Sequence, residues 1–187
     1  IHALSVGEAK SALPLIQRLC APRWCRKNEK TLFNEIVVTV STRTGFQVTR
    51  EGIQQMQRNN LKGKTKVMLG YFPYDFPFSV GRICHRIAPD AAIIVESDLW
   101  PNVLWSLSRN QVPVFLVNAR LSRRSLNGYL KFPALFVHLF SIFTTIMAQS
   151  EEDRRRFEKI GVPGDSIRVT GNIKFDQAPV RLSTDDR

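Results

Sequence analysis

Ser5-Val6-Gly7-Glu8 is the first stretch whose residue types could do chemistry. It lies between an apolar run and a helical pattern. Gly7 permits a tight turn and close backbone approach. The free amides at a helix start favour an anion. Glu8 sits in the first helical turn, where the dipole favours its charged form. An ionised carboxylate at a cleft could remove a proton from a hydroxyl nucleophile. The same spacing also fits the capping box S-x-x-E, in which Ser5 and Glu8 only close a helix end. Spacing alone leaves both readings open.

Three further clusters follow apolar runs. Ser41-Thr42-Arg43-Thr44-Gly45 offers hydroxyls, a cation and a glycine before a helix, enough to hold a phosphate or merely to cap. Glu96-Ser97-Asp98-Leu99-Trp100-Pro101-Asn102 brings two carboxylates beside a flat aromatic. Glu96 and Asp98 could hold a metal or act as an acid/base pair, although two carboxylates make a weak metal signal. The alternative is a core tryptophan, with Ser97 or Asp98 capping the helix that Pro101 starts. In Asn118-Ala119-Arg120-Leu121-Ser122, Arg120 could clamp a carboxylate or phosphate in a fork, or form a salt bridge to Glu96 or Asp98.

Elements must position these clusters. Strands are expected at 1–6, 35–41, 66–72, 91–96, 114–118, 144–149 and 167–170, most of them continuously apolar, as when both sheet faces are covered. Helices are expected at 8–19, 45–57, 77–86, 101–108, 123–139 and 151–160. Alternation of this kind implies an α/β fold with a doubly wound, mainly parallel sheet. Ligands then bind at the carboxyl ends of the strands, where the four clusters fall. The apolar stretch 133–148 contains His138, Ser141, Thr144 and Thr145 and is too short to span a bilayer; it reads as a helix running into a buried strand.

The 187 residues suit one domain, and 43% hydrophobic content is enough for a core, which excludes global disorder and disulfide scaffolds. The net charge is +11, and residues 1–70 hold 12 basic against 4 acidic side chains. Such an excess favours an anionic partner: nucleic acid, anionic lipid or a phosphorylated substrate. A merely solvated basic surface is the alternative. Much of the excess lies in Cys20–Phe33, where Arg23, Trp24, Arg26, Lys27 and Lys30 mix cations with an aromatic as an interfacial loop would, and in 59–66. Cys20, Cys25 and Cys84 form neither a CxxC pair nor a zinc cluster, which points to a reducing compartment.

Taken together, the clusters resemble a known family. His2-Ala3-x-Ser5-Val6-Gly7-Glu8, Tyr74-Asp75, Glu96 to Asn102, Asn118 to Ser122, Ala148-Gln149-Ser150 and Gly171-Asn172-Ile173-Lys174-Phe175-Asp176 fall in the order seen in the 3-deoxy-D-manno-octulosonic acid (Kdo) transferases of lipid A assembly. The resemblance covers almost the whole chain but only the N-terminal half of the family's length. It implies the Rossmann-like N-terminal half of a GT-B glycosyltransferase. Residues 1–176 would then be the acceptor-binding domain. Residues 177–187 would start a linker to a C-terminal donor-binding domain absent here, and an N-terminal anchor would precede the chain. The implied reaction is inverting transfer of Kdo from CMP-Kdo to a lipid A precursor, in lipopolysaccharide biosynthesis. Glu8 is implied as general base, with Ser5, Gly7, Arg43, Glu96, Asp98 and Arg120 around the substrates.

No metal or other cofactor is expected from the resemblance. The implied partners are the lipid A precursor, CMP-Kdo and the anionic inner-membrane surface on its cytoplasmic face, not nucleic acid. The fragment alone is expected to be inactive. Two departures stand out: Glu96-Ser97-Asp98 replaces the family's usual Glu-Thr-Glu, and Arg43 is unusual at its position. The competing readings from the residues are a basic nucleic-acid-binding module, against which no RNP, KH or zinc-finger pattern appears, and a stand-alone nucleotide-binding α/β module.

Overall fold

The computed structural model describes residues 1–21, 33–58, 65–96 and 99–176. The expected interfacial loop residues Arg23, Trp24, Arg26, Lys27 and Lys30, the lysines at 62 and 64, Ser97, Asp98 and the tail from 177 lie outside the described residues.

Seven strands form one parallel sheet: β1 (His2–Ala3), β2 (Glu35–Val40), β3 (Lys66–Tyr71), β4 (Ala92–Val95), β5 (Val114–Ala119), β6 (Phe143–Ala148) and β7 (Ile167–Val169), in the order β3-β2-β1-β4-β5-β6-β7. All six pairings are parallel, as the continuously apolar runs require. The chain steps from β1 outward to β3, returns across the sheet to β4, then steps outward to β7. The switch point of the order therefore lies between β1 and β4.

The helices are α1 (Val6–Cys20), α2 (Arg43–Arg58), α3 (Pro77–Ile87), α4 (Pro101–Arg109), α5 (Arg123–Tyr129), α6 (Pro133–Ser141) and α7 (Glu151–Ile160). Right-handed crossovers running in opposite directions from the switch point put α1 and α2 on one sheet face and the later helices on the other. The packing agrees: α1 lies against α2, while α3, α4 and α6 lie side by side. Two apolar clusters result. Ala9, Ala12 and Ile16 of α1 meet Ile36, Val38 and Val40 of β2. Leu104, Leu116, Phe140, Ile146 and Phe157 centre the other.

Two expectations change. The single helix at 123–139 is two, because Pro133 has no N–H to donate and instead opens α6 at its first turn. The first strand is two residues long rather than six, because Leu4 and Ser5 leave the ladder to close the start of α1. The stretch 133–148 does split into a helix and a strand. Among the described residues no helix is long and apolar enough to cross a membrane.

Gly161 ends α7 with φ of +107°, where a side chain costs roughly 1–2 kcal/mol, and a Cβ there would stand 3.0 Å from Val137. Gly161→Ala is expected to lower stability by about that amount. Thermal melting should show a fall of roughly 2–4 °C per kcal/mol.

Candidate functional site

The strand ends set the site. Ser5 caps α1: its Oγ accepts the Glu8 N–H at 3.3 Å and donates to Glu8 Oε1 at 2.8 Å. Glu8 Oε2 accepts the Leu4 N–H at 2.7 Å. The capping alternative is thus realised, with the carboxylate reaching one residue further back than the usual box. Glu8 is 7% exposed and holds one donor on each oxygen. A carboxylate offers about four lone-pair sites, so capping leaves acceptor capacity. Gly7 opens onto space, with Ser5 Oγ 3.8 Å from its notional Cβ.

The second cluster lies beside the first. Thr42 Oγ1 accepts the Gly45 N–H at 3.0 Å, the capping reading of 41–45. A Cβ on Gly45 would stand 2.8 Å from Thr42 Oγ1, so a side chain there would push on the cap of its own helix, whereas the Ser5 carbonyl, 3.8 Å away, would meet it at ordinary contact distance. Arg43 opens α2, is exposed, and has no ion-pair or hydrogen-bond partner among the described residues. A cation at a helix start is opposed by the dipole, a cost an anionic ligand would relieve.

Glu96, just past β4, and Asn118, next to last in β5, have φ of 70° and 57°, the left-handed region that side chains seldom adopt. Glu96 Oε1 accepts from Lys174 Nζ at 3.2 Å, and of the two salt bridges offered as the alternative for Arg120 the one to Glu96 is not made. Arg120 is exposed and has no ion-pair partner among the described residues. Asp98 lies outside them, so its expected role has no geometry here.

Asn118 is 1% exposed and organises the far side of the rim. Its backbone carbonyl accepts from Gln149 Nε2 at 2.9 Å, and its Oδ1 accepts the Ile173 N–H at 3.2 Å. Gln149 Oε1 in turn accepts from Asn172 Nδ2 at 3.2 Å. The segment after β7 is thereby tied over the strand ends. Its 3-10 turn Ile173–Asp176 reaches back to α1, bringing Lys174 to Glu96.

The sequence motifs contain Asn118, Gln149, Asn172 and Lys174 without assigning them a role. Asn118 and Gln149 carry a signal, a polar residue at the end of an apolar run, whereas Asn172 and Lys174 lie three and five residues beyond β7 and carry none.

Two other expectations resolve. Trp100 is half-buried and packs against the core: its ring lies 5.1 Å from Phe72 and 6.2 Å from His2, and its indole N–H is buried. Neither Ser97 nor Asp98 is needed to cap α4. Asp75 does so from the β3–α3 loop, its Oδ1 and Oδ2 accepting the N–H groups of Val103 at 3.1 Å and Asn102 at 3.2 Å. Among the described residues no group of three or more His, Cys, Asp or Glu side chains could hold a metal ion.

The site's placement on a parallel sheet is shared by many folds, and comparison with known proteins narrows it. The family model described as 3-deoxy-D-manno-octulosonic-acid transferase (kdotransferase) matches residues 1–177. The chain belongs to this family.

Among Kdo transferases, it is 32% identical to the 3-deoxy-D-manno-octulosonic acid transferase of Haemophilus influenzae over 100% of this chain and 38% of that protein. It is 33% identical to that of Bordetella pertussis over 95% of this chain and 38% of that protein. The chain thus spans well under half the length of these curated relatives. Its fold is similar to UDP-GlcNAc 2-epimerases of known structure. The Neisseria meningitidis enzyme has a TM-score of 0.56 at 16% identity, covering 94% of this chain and 48% of that one. A Listeria monocytogenes structure, titled as a putative UDP-N-acetylglucosamine 2-epimerase, has 0.59 at 14%, covering 91% and 43%. These likenesses show the doubly wound half of a GT-B architecture for this chain.

His2, at the base of the family's first motif, lies beneath the site. It stacks on Phe72 at 3.7 Å, and its Nδ1 hydrogen bonds to the Thr39 carbonyl at 3.2 Å. Burial lowers its pKa from the ordinary 6.5 to about 4, against the opposing pull of the Thr39 carbonyl. The unfolded chain takes up the proton first as pH falls. His2 therefore favours folding above pH 6.5, and that support is lost between pH 6.5 and about 4. Denaturant titrations across this window are expected to show wild type losing about 3 kcal/mol more than His2→Phe.

Proposed function

We propose that this chain is the acceptor-side domain of an inverting glycosyltransferase that moves Kdo from CMP-Kdo to a lipid A precursor. One observation carries the reading. Glu8 and Glu96 flank the switch point between β1 and β4, with Arg43, unpaired among the described residues, just past the neighbouring strand end. In doubly wound sheets that crevice is where ligands bind.

In this mechanism Glu8 accepts the proton of the acceptor hydroxyl. The oxygen attacks the anomeric carbon of Kdo, and the bond to CMP breaks with its electron pair leaving on the phosphate. Configuration inverts because attack and departure are on opposite faces. The Leu4 N–H and Ser5 hydroxyl hold the Glu8 carboxylate in one orientation. That lowers the cost of arranging base and nucleophile. Arg43 and Arg120, both exposed and unpaired among the described residues, supply charge for the acceptor phosphates and the Kdo carboxylate. Lys174 fixes Glu96 at the crevice wall. The scheme uses no metal. Residues beyond 176 lead to a domain that holds most of the donor, and the reaction takes place at the cytoplasmic face of the inner membrane.

The test is Kdo transfer from CMP-Kdo to a lipid A precursor by the protein at its natural length. Glu8→Gln keeps one acceptor oxygen, for the Leu4 N–H, and turns the group facing Ser5 into a donor that the Ser5 hydroxyl can accept, while removing the base. It is expected to cut turnover by roughly 10²–10⁴-fold with the melting temperature little changed. Near-normal turnover would overturn the assignment. Arg120→Ala is expected to weaken substrate binding or turnover with no loss of stability; a lowered melting temperature alone would return Arg120 to a structural role.

A further inference from the structure

The β3–α3 loop is held firmly. Besides capping α4 through its carboxylate, Asp75 accepts at its backbone carbonyl from Asn102 Nδ2 at 2.6 Å. Yet this pinned loop and the first turn of α3 present their aromatic rings to solvent. Tyr74, Phe76 and Phe78 are 83%, 65% and 94% exposed. Tyr74 and Phe76 lie together, ring centroids 6.4 Å apart. Adjacent exposed aromatics on a rigid support mark a contact surface.

The helix that follows is two-faced. Val80, Ile83 and Cys84 turn toward the sheet and α4, while Phe78, Arg82, His85 and Arg86 fall on the opposite, exposed stripe. The helix carries no acidic residue. The stripe thus pairs an aromatic lip with guanidinium groups whose stems can lie along apolar material while the heads stay at a charged interface. It begins at the carboxyl edge of the sheet, on the same rim as Glu8 and Glu96.

We infer that the Tyr74–Phe78 lip and the Arg82/Arg86 stripe of α3 form a docking surface for an anionic lipid bilayer. The inference rests on the transferase reading, in which the acceptor lies in such a bilayer, and places the contact on α3 rather than on the basic stretch 20–33. The aromatic rings enter the headgroup boundary and the arginines meet lipid phosphates, which sets the crevice against the membrane plane.

Co-sedimentation of the protein at its natural length with vesicles tests this, using phosphatidylcholine alone against equal parts phosphatidylcholine and phosphatidylglycerol. Phe76→Ser/Phe78→Ser and Arg82→Glu/Arg86→Glu are each expected to weaken binding to the anionic vesicles by roughly tenfold or more, with unchanged melting temperatures. Lys159→Glu, on α7, is expected to bind as wild type. Transfer to detergent-dispersed acceptor is expected to be unchanged in the aromatic variant. Wild-type vesicle binding by either double variant overturns the surface, as does a wild type that ignores anionic vesicles while still turning over dispersed acceptor. A wild type that binds vesicles through these residues but transfers no Kdo supports the surface and overturns the transferase reading instead.

Discussion

Every strand of this sheet runs the same way, and that constraint places almost everything else. A parallel strand must be followed by a crossover, and a crossover that packs on a twisted sheet is right-handed. Each strand therefore ends on the same edge, and each following helix starts there. Ser5, Thr42, Glu96, Asn118 and Gln149 are far apart in the chain, yet all stand on that edge because each lies within two residues of the end of a strand. The reversal of strand order between β1 and β4 opens the crevice among them.

Polar groups at this edge are held by one another rather than by water alone. The Ser5–Glu8 cap fixes one wall, and Asp75 fixes the start of α4. Asn118 ties the segment after β7 across the strand ends. Two residues with side chains, Glu96 and Asn118, hold left-handed backbone there. Such conformations persist only where surrounding contacts over-determine them. The hydrogen bonds of Asn118 and the Glu96–Lys174 pair are those contacts. Against this ordered background, Arg43 and Arg120 are exposed and have no ion-pair partner among the described residues.

The family assignment and the geometry bear on different questions. The match over residues 1–177 fixes the lineage. The likeness to the epimerase structures, at 14–16% identity, fixes the architecture and nothing of the chemistry. The proposed chemistry rests on where Glu8 is held and on what surrounds it.

The sequence by itself determined the order and kind of the elements, because a parallel, doubly covered sheet writes a continuous apolar run for each strand and polar residues at each strand end. It also offered the Ser5–Glu8 cap as one of two readings, since a cap is local in the chain, and the structure makes that cap. It misjudged the helix at 123–139, where Pro133 interrupts an otherwise helical pattern, and the length of β1, which yields to the cap. Only the tertiary structure decided the long-range partners. Nothing local shows that Glu96 pairs with Lys174, 78 positions away, rather than with Arg120. Nor does it show that Asp75 caps a helix beginning at Pro101, or that Trp100 packs against Phe72 and His2. Those choices depend on which strand ends become neighbours. Strand order is set by crossovers over the whole sheet, and no short stretch of sequence encodes it.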